Sequence, residues 1–325
     1  MTRWGLTIPL LGVPLPEHAA IVRALPDLGY TDVWSAETNG TDAFTPLALA
    51  AAWEPTLRLG TAIVPVYTRG PALIAMSAAS LAAAAPGRFV LGLGASSPVI
   101  VGDWNGIPFE QPFRRTRDVL RTTNALLGGE RVTGDFDTIS VHRFKLDKAP
   151  DPKPMVLVAA LRAQMLRLAG RESDGAILNW LAAHDVAQCL AELHAGAGAD
   201  ADPEVVARIF VCPTDDADYA RSLGRTLFAS YLTVPAYAAF HDWLGRGERL
   251  KPMHDAWAAG DRKGAAAAVP DDVVDELVVH GTPHACREQV QAYADAGVKT
   301  PVMMLLPTPD GPANLDLLRD LGPVA

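Results

Sequence analysis

The chemically able residues of this chain are few, and they gather where apolar runs give way to loops. Glu37 closes the run Asp32-Val33-Trp34-Ser35-Ala36-Glu37. Gly92 and Gly94 interrupt the run from Phe89, and the pair Ser96-Ser97 follows directly. Ala159-Ala160-Leu161-Arg162 ends a third run, and Asn179-Trp180 ends a fourth. A run that is apolar on both faces reads as a buried parallel strand. Glycine inside one marks a place where something approaches the backbone closely. The serines offer hydroxyls and backbone N–H groups to a polar ligand. Arg162 opens a helical stretch, and a helix N-terminus favours a phosphate. The stretch Arg88–Asn105 therefore reads as the floor and rim of a pocket for an organic ligand.

Strong acid–base groups are scarce at these points. Glu37 is the only carboxylate at a strand end in the first half, and no histidine falls at a strand end. His18 lies in the first turn of a helix, His184 and His194 in helical stretches, His142 in an irregular polar region, and His241 and His254 in a long helical segment. No H-E-x-x-H, G-x-S-x-G or paired-carboxylate spacing appears. Such a pocket suits an organic cofactor that carries the hard chemistry itself. Plain structural roles stay open for each residue. Glu37 could be an ion pair, Ser96 and Ser97 an ordinary turn, and Arg162 a solvated helix start. Trp104-Asn105 could anchor a loop, and the aromatics from Phe228 to Trp257 could be helical core.

The elements that must position these groups alternate. Strands are expected at Trp4–Pro9, Asp32–Glu37, Leu57–Pro65, Phe89–Leu93, Pro154–Ala160, Asp174–Asn179, Val205–Cys212 and Pro301–Leu306. Helices are expected at Pro16–Gly29, Phe44–Trp53, Pro71–Ala85, Phe113–Leu127, Arg162–Gly170, Ala183–Ala195, Pro283–Ala296 and Leu315–Leu321. Arg131–Asp147 is polar and has room for a small hairpin, and Asp215–Pro270 is helical in pattern. Eight strands alternating with helices point to an α/β fold of the (β/α)8 TIM-barrel type with insertions. An open doubly wound sheet is the alternative, but the first strand runs into Leu11-Gly12-Val13-Pro14 rather than G-x-G-x-x-G. No Pro-, Gly- or Ser-rich linker divides the chain. One domain over 1–325 is expected, with a helical insertion around 215–270. In a barrel the site lies at the C-terminal strand ends, where Glu37, Ser96, Ser97, Arg162 and Asn179 fall.

Composition bounds the function classes. The chain has 325 residues, 49% hydrophobic and 20% charged, with a net charge of −9. That balance argues against nucleic-acid binding, which needs a basic face. The three cysteines, Cys189, Cys212 and Cys286, have no metal-ligand spacing and read as free thiols in a reducing cytoplasm. Met1-Thr2-Arg3-Trp4 leads straight into a strand with no signal-peptide core, and no apolar run approaches the roughly 20 residues of a membrane helix. A cytoplasmic protein acting on a small molecule is expected.

Several longer motifs are familiar. Gly60-Thr61-Ala62-Ile63-Val64-Pro65, Pro86-Gly87-Arg88-Phe89-Val90-Leu91-Gly92-Leu93-Gly94, and Arg167-Leu168-Ala169-Gly170 before Asp174-Gly175 resemble the bacterial luciferase-like monooxygenase superfamily. Ser96-Ser97-Pro98-Val99-Ile100-Val101 and Trp104-Asn105-Gly106-Ile107-Pro108-Phe109 resemble its coenzyme F420-dependent branch. The resemblance implies a (β/α)8 barrel with a flavin or deazaflavin across its mouth. It implies a non-proline cis peptide at Ala62–Ile63, behind the ring. It maps the ring-edge contact to Glu37 and Thr38, and the phosphate loop to Ala160, Leu161 and Arg162. Gly94, Ser96, Ser97 and Asn179 would complete the cofactor pocket. Two departures matter. Threonine stands where sugar-phosphate dehydrogenases of this group carry histidine, which argues against sugar oxidation. The phosphate loop lacks the usual glycines, leaving Arg162 to supply charge.

The resemblance thus implies hydride transfer between coenzyme F420 and a small, largely apolar substrate, with Glu37 as the catalytic contact. Two alternatives stand. One is an FMN-dependent monooxygenase that needs a flavin reductase, and the other is a non-catalytic cofactor-binding relative. A homodimer through an apolar patch on the early helices is also expected.

Overall fold

A computed structural model describes residues 3–198 and 200–323. Met1 and Thr2, with which the expected leaderless start begins, lie outside the described residues. In chain order the strands are β1 (Gly5–Thr7), β2 (Asp32–Ser35), β3 (Arg58–Thr61), β4 (Val64–Pro65), β5 (Phe89–Gly94) and β6 (Val132–Asp135). They continue with β7 (Ser140–Phe144), β8 (Met155–Ala159), β9 (Gly175–Asn179), β10 (Glu204–Cys212), β11 (Val278–His280) and β12 (Thr300–Leu305). Eight of them, β1, β2, β3, β5, β8, β9, β10 and β12, form a parallel ring. Pairing of β10 with both β9 and β12 closes it. The expected (β/α)8 barrel is the observed fold.

The alternation of apolar runs and helical periods places the elements well. Helices Phe44–Trp53 and Leu315–Leu321 have the expected bounds. The first expected helix is broken by chemistry that its sequence contains. His18–Ala24 is α-helical, Pro26–Leu28 tightens to a 3-10 turn, and Gly29 ends it at φ 86°. The expected strand Leu57–Pro65 is two pieces, β3 and β4, divided at the Ala62–Ile63 peptide, which is cis. The small hairpin in the polar region is β6–β7.

Two features depart from expectation. Val99–Asp103 winds into a π-helical turn. Strand β11 was not foreseen, and it pairs with β10 outside the ring. His280 is its last residue, so a histidine does end a strand. Its Nε2 lies 3.0 Å from Asp275 Oδ1, a local hydrogen bond away from the cavity wall.

The barrel interior explains where the open end is. Trp34, Val90, Leu157, Ile177, Val206 and Val302 fill the lower layers. The Trp34 ring occupies the space a Cβ on Gly60 would need. Below it, Arg58 donates to Asp32, to Glu204 Oε1 at 3.0 Å and to Thr300 Oγ1 at 2.6 Å. This buried network ties β2, β3, β10 and β12 together at their N-terminal ends. The opposite end is left for chemistry.

Between β10 and β11 the chain runs through five helices, Ala217–Tyr231, Pro235–Trp243, Gly247–Ala258, Arg262–Ala267 and Asp271–Leu277. They share an apolar cluster containing Phe228, Leu250, Met253 and Val274 with Trp180 and Phe210 of the barrel. Arg246 fastens them from within, at 2.8 Å from Asp185 Oδ2 and 2.7 Å from Glu276 Oε2. All three cysteines are free and buried, and burial pushes Cys212 up to about 11 and Cys189 and Cys286 up to about 12. Among the described residues no helix is long and apolar enough to cross a membrane.

Candidate active site

A cavity of about 1340 Å³ lies over the C-terminal ends of the strands. Its wall takes residues from β2 to β10 and from the helices that follow β10. The structure brings together Glu37, Thr38, Ala62, Ile63, Gly94, Ser96, Ser97, Leu161, Arg162 and Asn179 on this wall. Ala160 is the exception. It is 1% exposed, absent from the wall, and its N–H donates to Ile177 O at 3.1 Å. Its role is to hold β8 against β9, so the expected phosphate contact at Ala160 is not supported.

The floor is apolar and low. Ala62, Ile63, Ala159 and Ile177 stand over the barrel layers, and Gly94 lies between them. A Cβ at Gly94 would sit 3.0 Å from Ile63 Cγ1 and 3.1 Å from Ala159 Cβ. Gly92, which reads from sequence as a second place for a close ligand, serves packing instead. A Cβ there would meet the Thr61 carbonyl and Ile177 Cδ1. The Thr61 hydroxyl also bridges the Gly92 backbone, accepting from N at 2.8 Å and donating to O at 3.0 Å.

Glu37 reaches the wall but is engaged. Arg69 Nε donates to Oε1 at 2.9 Å and to Oε2 at 3.2 Å, and Nη2 donates to Oε1 at 2.5 Å. The Ala43 N–H adds 3.3 Å to Oε1. Asp42 lies 3.8 Å from the same guanidinium. Partial burial pushes Asp42 up, but hydrogen bonds from Thr45 and Phe44, with Arg69 beside it, hold it below the usual carboxylate range. Oε2 of Glu37 keeps room for one further partner.

The rim after β5 is shaped by its own backbone. Ser96 is left-handed at φ 65°. Ser97 Oγ accepts from Ile100 N at 3.3 Å, just ahead of the π-helical turn. Trp104 lies on the wall, half exposed. Asn105 is the loop anchor, its Nδ2 donating to Ile100 O at 2.6 Å. After β8, Arg162 precedes the helix Ala163–Glu172, which has no side-chain cap. The N–H groups of Ala163 and Gln164 fall outside the helical ladder, as the first amides of a helix do.

Sequence reasoning did not single out the individual residues on the far side of the cavity, Arg208 above all. Arg208 sits in the middle of β10, paired in register with Asn179 of β9. Tyr231, Tyr237, Trp243 and Trp257 from the helical segment complete that side. The signal was present: Arg208 is the one charged residue inside the apolar run from Val205 to Cys212. Asn179 Nδ2 donates to Tyr237 Oη at 3.0 Å, and burial pushes the Tyr237 phenol up. These aromatics also pack on one another or on the core: Trp180 stacks on Phe210 at 3.7 Å and meets Tyr231 at 5.4 Å, and Trp243 stacks on Phe240 at 6.1 Å. Core and pocket wall are therefore the same cluster.

Similarity to known proteins agrees with this geometry. Residues 5–300 match the family model for luciferase-like monooxygenases. A 5,10-methylenetetrahydromethanopterin reductase of Methanolobus tindarius is 28% identical over 324 residues, covering 95% of each chain. The coenzyme F420-dependent tetrahydromethanopterin reductase of Methanopyrus kandleri superposes with a TM-score of 0.77 at 21% identity, over 98% of this chain and 96% of that one. An F420-dependent secondary alcohol dehydrogenase, solved with an F420–acetone adduct, gives 0.78 at 16% identity over the same shares. The chain belongs to the luciferase-like monooxygenase family.

Proposed function

We propose that this protein is an oxidoreductase that uses coenzyme F420 to move a hydride to or from a small organic substrate. The observation that carries the reading is the build of the cavity. A low apolar floor at Ala62, Ile63, Gly94 and Ala159 adjoins a cationic helix start at Arg162, and the wall holds a single carboxylate, Glu37. The floor suits a flat ring because Gly94 puts no side chain above it. The helix start suits the phosphate of the same cofactor, through Arg162 and the free amides of Ala163 and Gln164. The relatives named above add weight to a deazaflavin over FMN.

When bound, the deazaflavin supplies hydride chemistry without oxygen chemistry. The chain's own residues position and shield. Ala62, Ile63 and Ala159 would keep water from the ring face, and Ser96 and Asn179 would meet polar edges. Glu37, oriented by the hydrogen bonds from Arg69, would take or return a proton at Oε2. The aromatic side of the cavity holds the substrate. Equilibrium titration with F420 and with FMN tests this reading, and no F420 binding would overturn it.

A further inference from the structure

The side of the cavity opposite Glu37 holds a positive charge that the protein does not answer. Among the described residues Arg208 makes no ion pair, and its side chain makes no hydrogen bond. Its Nε is buried without a partner, and the residue is part of the cavity wall. The nearest compensation is the Phe210 ring, 5.1 Å from Cζ. A ring of this kind engages the face of the guanidinium and leaves its in-plane donors free. Asn179, across the β9–β10 register, has its Oδ1 buried and unpartnered as well. Tyr231 and Tyr237 stand beside Arg208, and both are on the wall.

The surrounding charge points the same way. The whole chain carries −9, yet the cavity wall carries three arginines, Arg114, Arg162 and Arg208, against one glutamate. Glu37 is already occupied by Arg69. A buried unpaired guanidinium is costly, and burial lowers the Arg208 pKa without discharging a group of this basicity. Within a folded protein such a charge persists where a ligand supplies the counter-charge. A carboxylate matches the planar fork of donors. The aromatic neighbours, Tyr231, Tyr237 and Trp243, match an apolar or aromatic body.

We infer that Arg208 is the receptor for a carboxylate on the substrate, so that the substrate class is an apolar or aromatic carboxylic acid. Arg208 donates to the carboxylate, and Tyr231 and Tyr237 add hydroxyls and ring faces. Choice of substrate class rests on the oxidoreductase reading, but the anion site itself does not need the cofactor. It can therefore be tested separately.

The test titrates the full-length, cofactor-free protein with phenylacetate and with the neutral isostere phenylacetamide, following tryptophan fluorescence. The wild type is expected to bind phenylacetate at least tenfold more tightly than the amide. Arg208→Gln should remove that preference, and Arg208→Lys should restore part of it. Circular dichroism melts of both variants show whether they fold. Equal affinity of the wild type for the two probes overturns the proposal. So does an Arg208→Gln variant that folds and keeps the preference. F420 titration of the same proteins separates the two readings. If Arg208→Gln loses F420 and wild type shows no carboxylate preference, Arg208 belongs to the cofactor site and the substrate proposal fails. If wild type prefers phenylacetate but binds no F420, the anion site stands and the cofactor reading falls.

Discussion

Glu37 and Arg69 form a two-pronged ion pair at the mouth of the barrel, with Nε 2.9 Å and Nη2 2.5 Å from one carboxylate oxygen. Both side chains are largely shielded, at 14% and 21% exposure. The pair fixes the position of the carboxylate on the cavity wall. Glu37→Gln keeps the shape and removes the charge. It should lower kcat by about 100-fold on any substrate turned over, in the range usual for one acid–base group. The melting temperature should shift by only a few degrees, because Arg69 keeps Asp42 nearby. Steady-state kinetics beside a thermal melt check this, and an unchanged rate would reduce Glu37 to a structural ion pair.

Arg162 is assigned to the cofactor phosphate, and it has no carboxylate partner among the described residues. Arg162→Ala should weaken F420 binding by about tenfold, as loss of one charge-assisted contact at an exposed site does. The loss should shrink as salt rises, since salt screens exposed charges. Titration at low and high ionic strength measures it. Equal affinity of variant and wild type at both would move the phosphate elsewhere.

Gly60 is the counterpart of Trp34 in the barrel interior. A methyl group at Gly60 would overlap the indole ring, which is fully buried. Gly60→Ala should destabilise by about 1–3 kcal/mol, the usual cost of overpacking. Urea denaturation gives the value, and a stability equal to wild type would show that Trp34 has somewhere to go.

His241 is fully buried with neither ring nitrogen hydrogen-bonded. Burial, with Arg246 adding repulsion, lowers its pKa from 6.5 to about 3. The unfolded chain therefore binds a proton between those values that the folded chain refuses. Stability is highest above about pH 6.5 and falls as pH drops toward 3. His241→Phe removes this dependence. Between pH 7.5 and 5 the wild type should lose about 2 kcal/mol more than the variant, at roughly 1.4 kcal/mol for each unit below the unfolded value. Parallel urea midpoints across that range would contradict the assignment.

The fold was legible because each barrel strand is a short apolar run closed by a turn, and each helix has its own period and stop. The break at Ala62–Ile63 was legible only through the family resemblance, and the one at Pro26 only in space. Strand β11 was not, because Val278-Val279-His280 is too short to stand out beside the helix before it. The first half of the site was readable from the rule that strand ends carry it. The second half depends on tertiary packing: Tyr231 and Tyr237 look like helical core in sequence and are both core and wall in space. Arg208 stood alone in an apolar strand, which is a signal for a functional charge that strand ends do not give. Gly92 and Ala160 show the reverse, since small residues near a site can serve the backbone rather than the ligand.

The central claim is the cofactor, and one measurement addresses it directly. The purified full-length protein is titrated with F420 and, separately, with FMN, and binding is followed by calorimetry. The account predicts micromolar or tighter binding of F420, at least tenfold tighter than FMN, and weakened by Arg162→Ala. Tight FMN binding with no detectable F420 binding would contradict it.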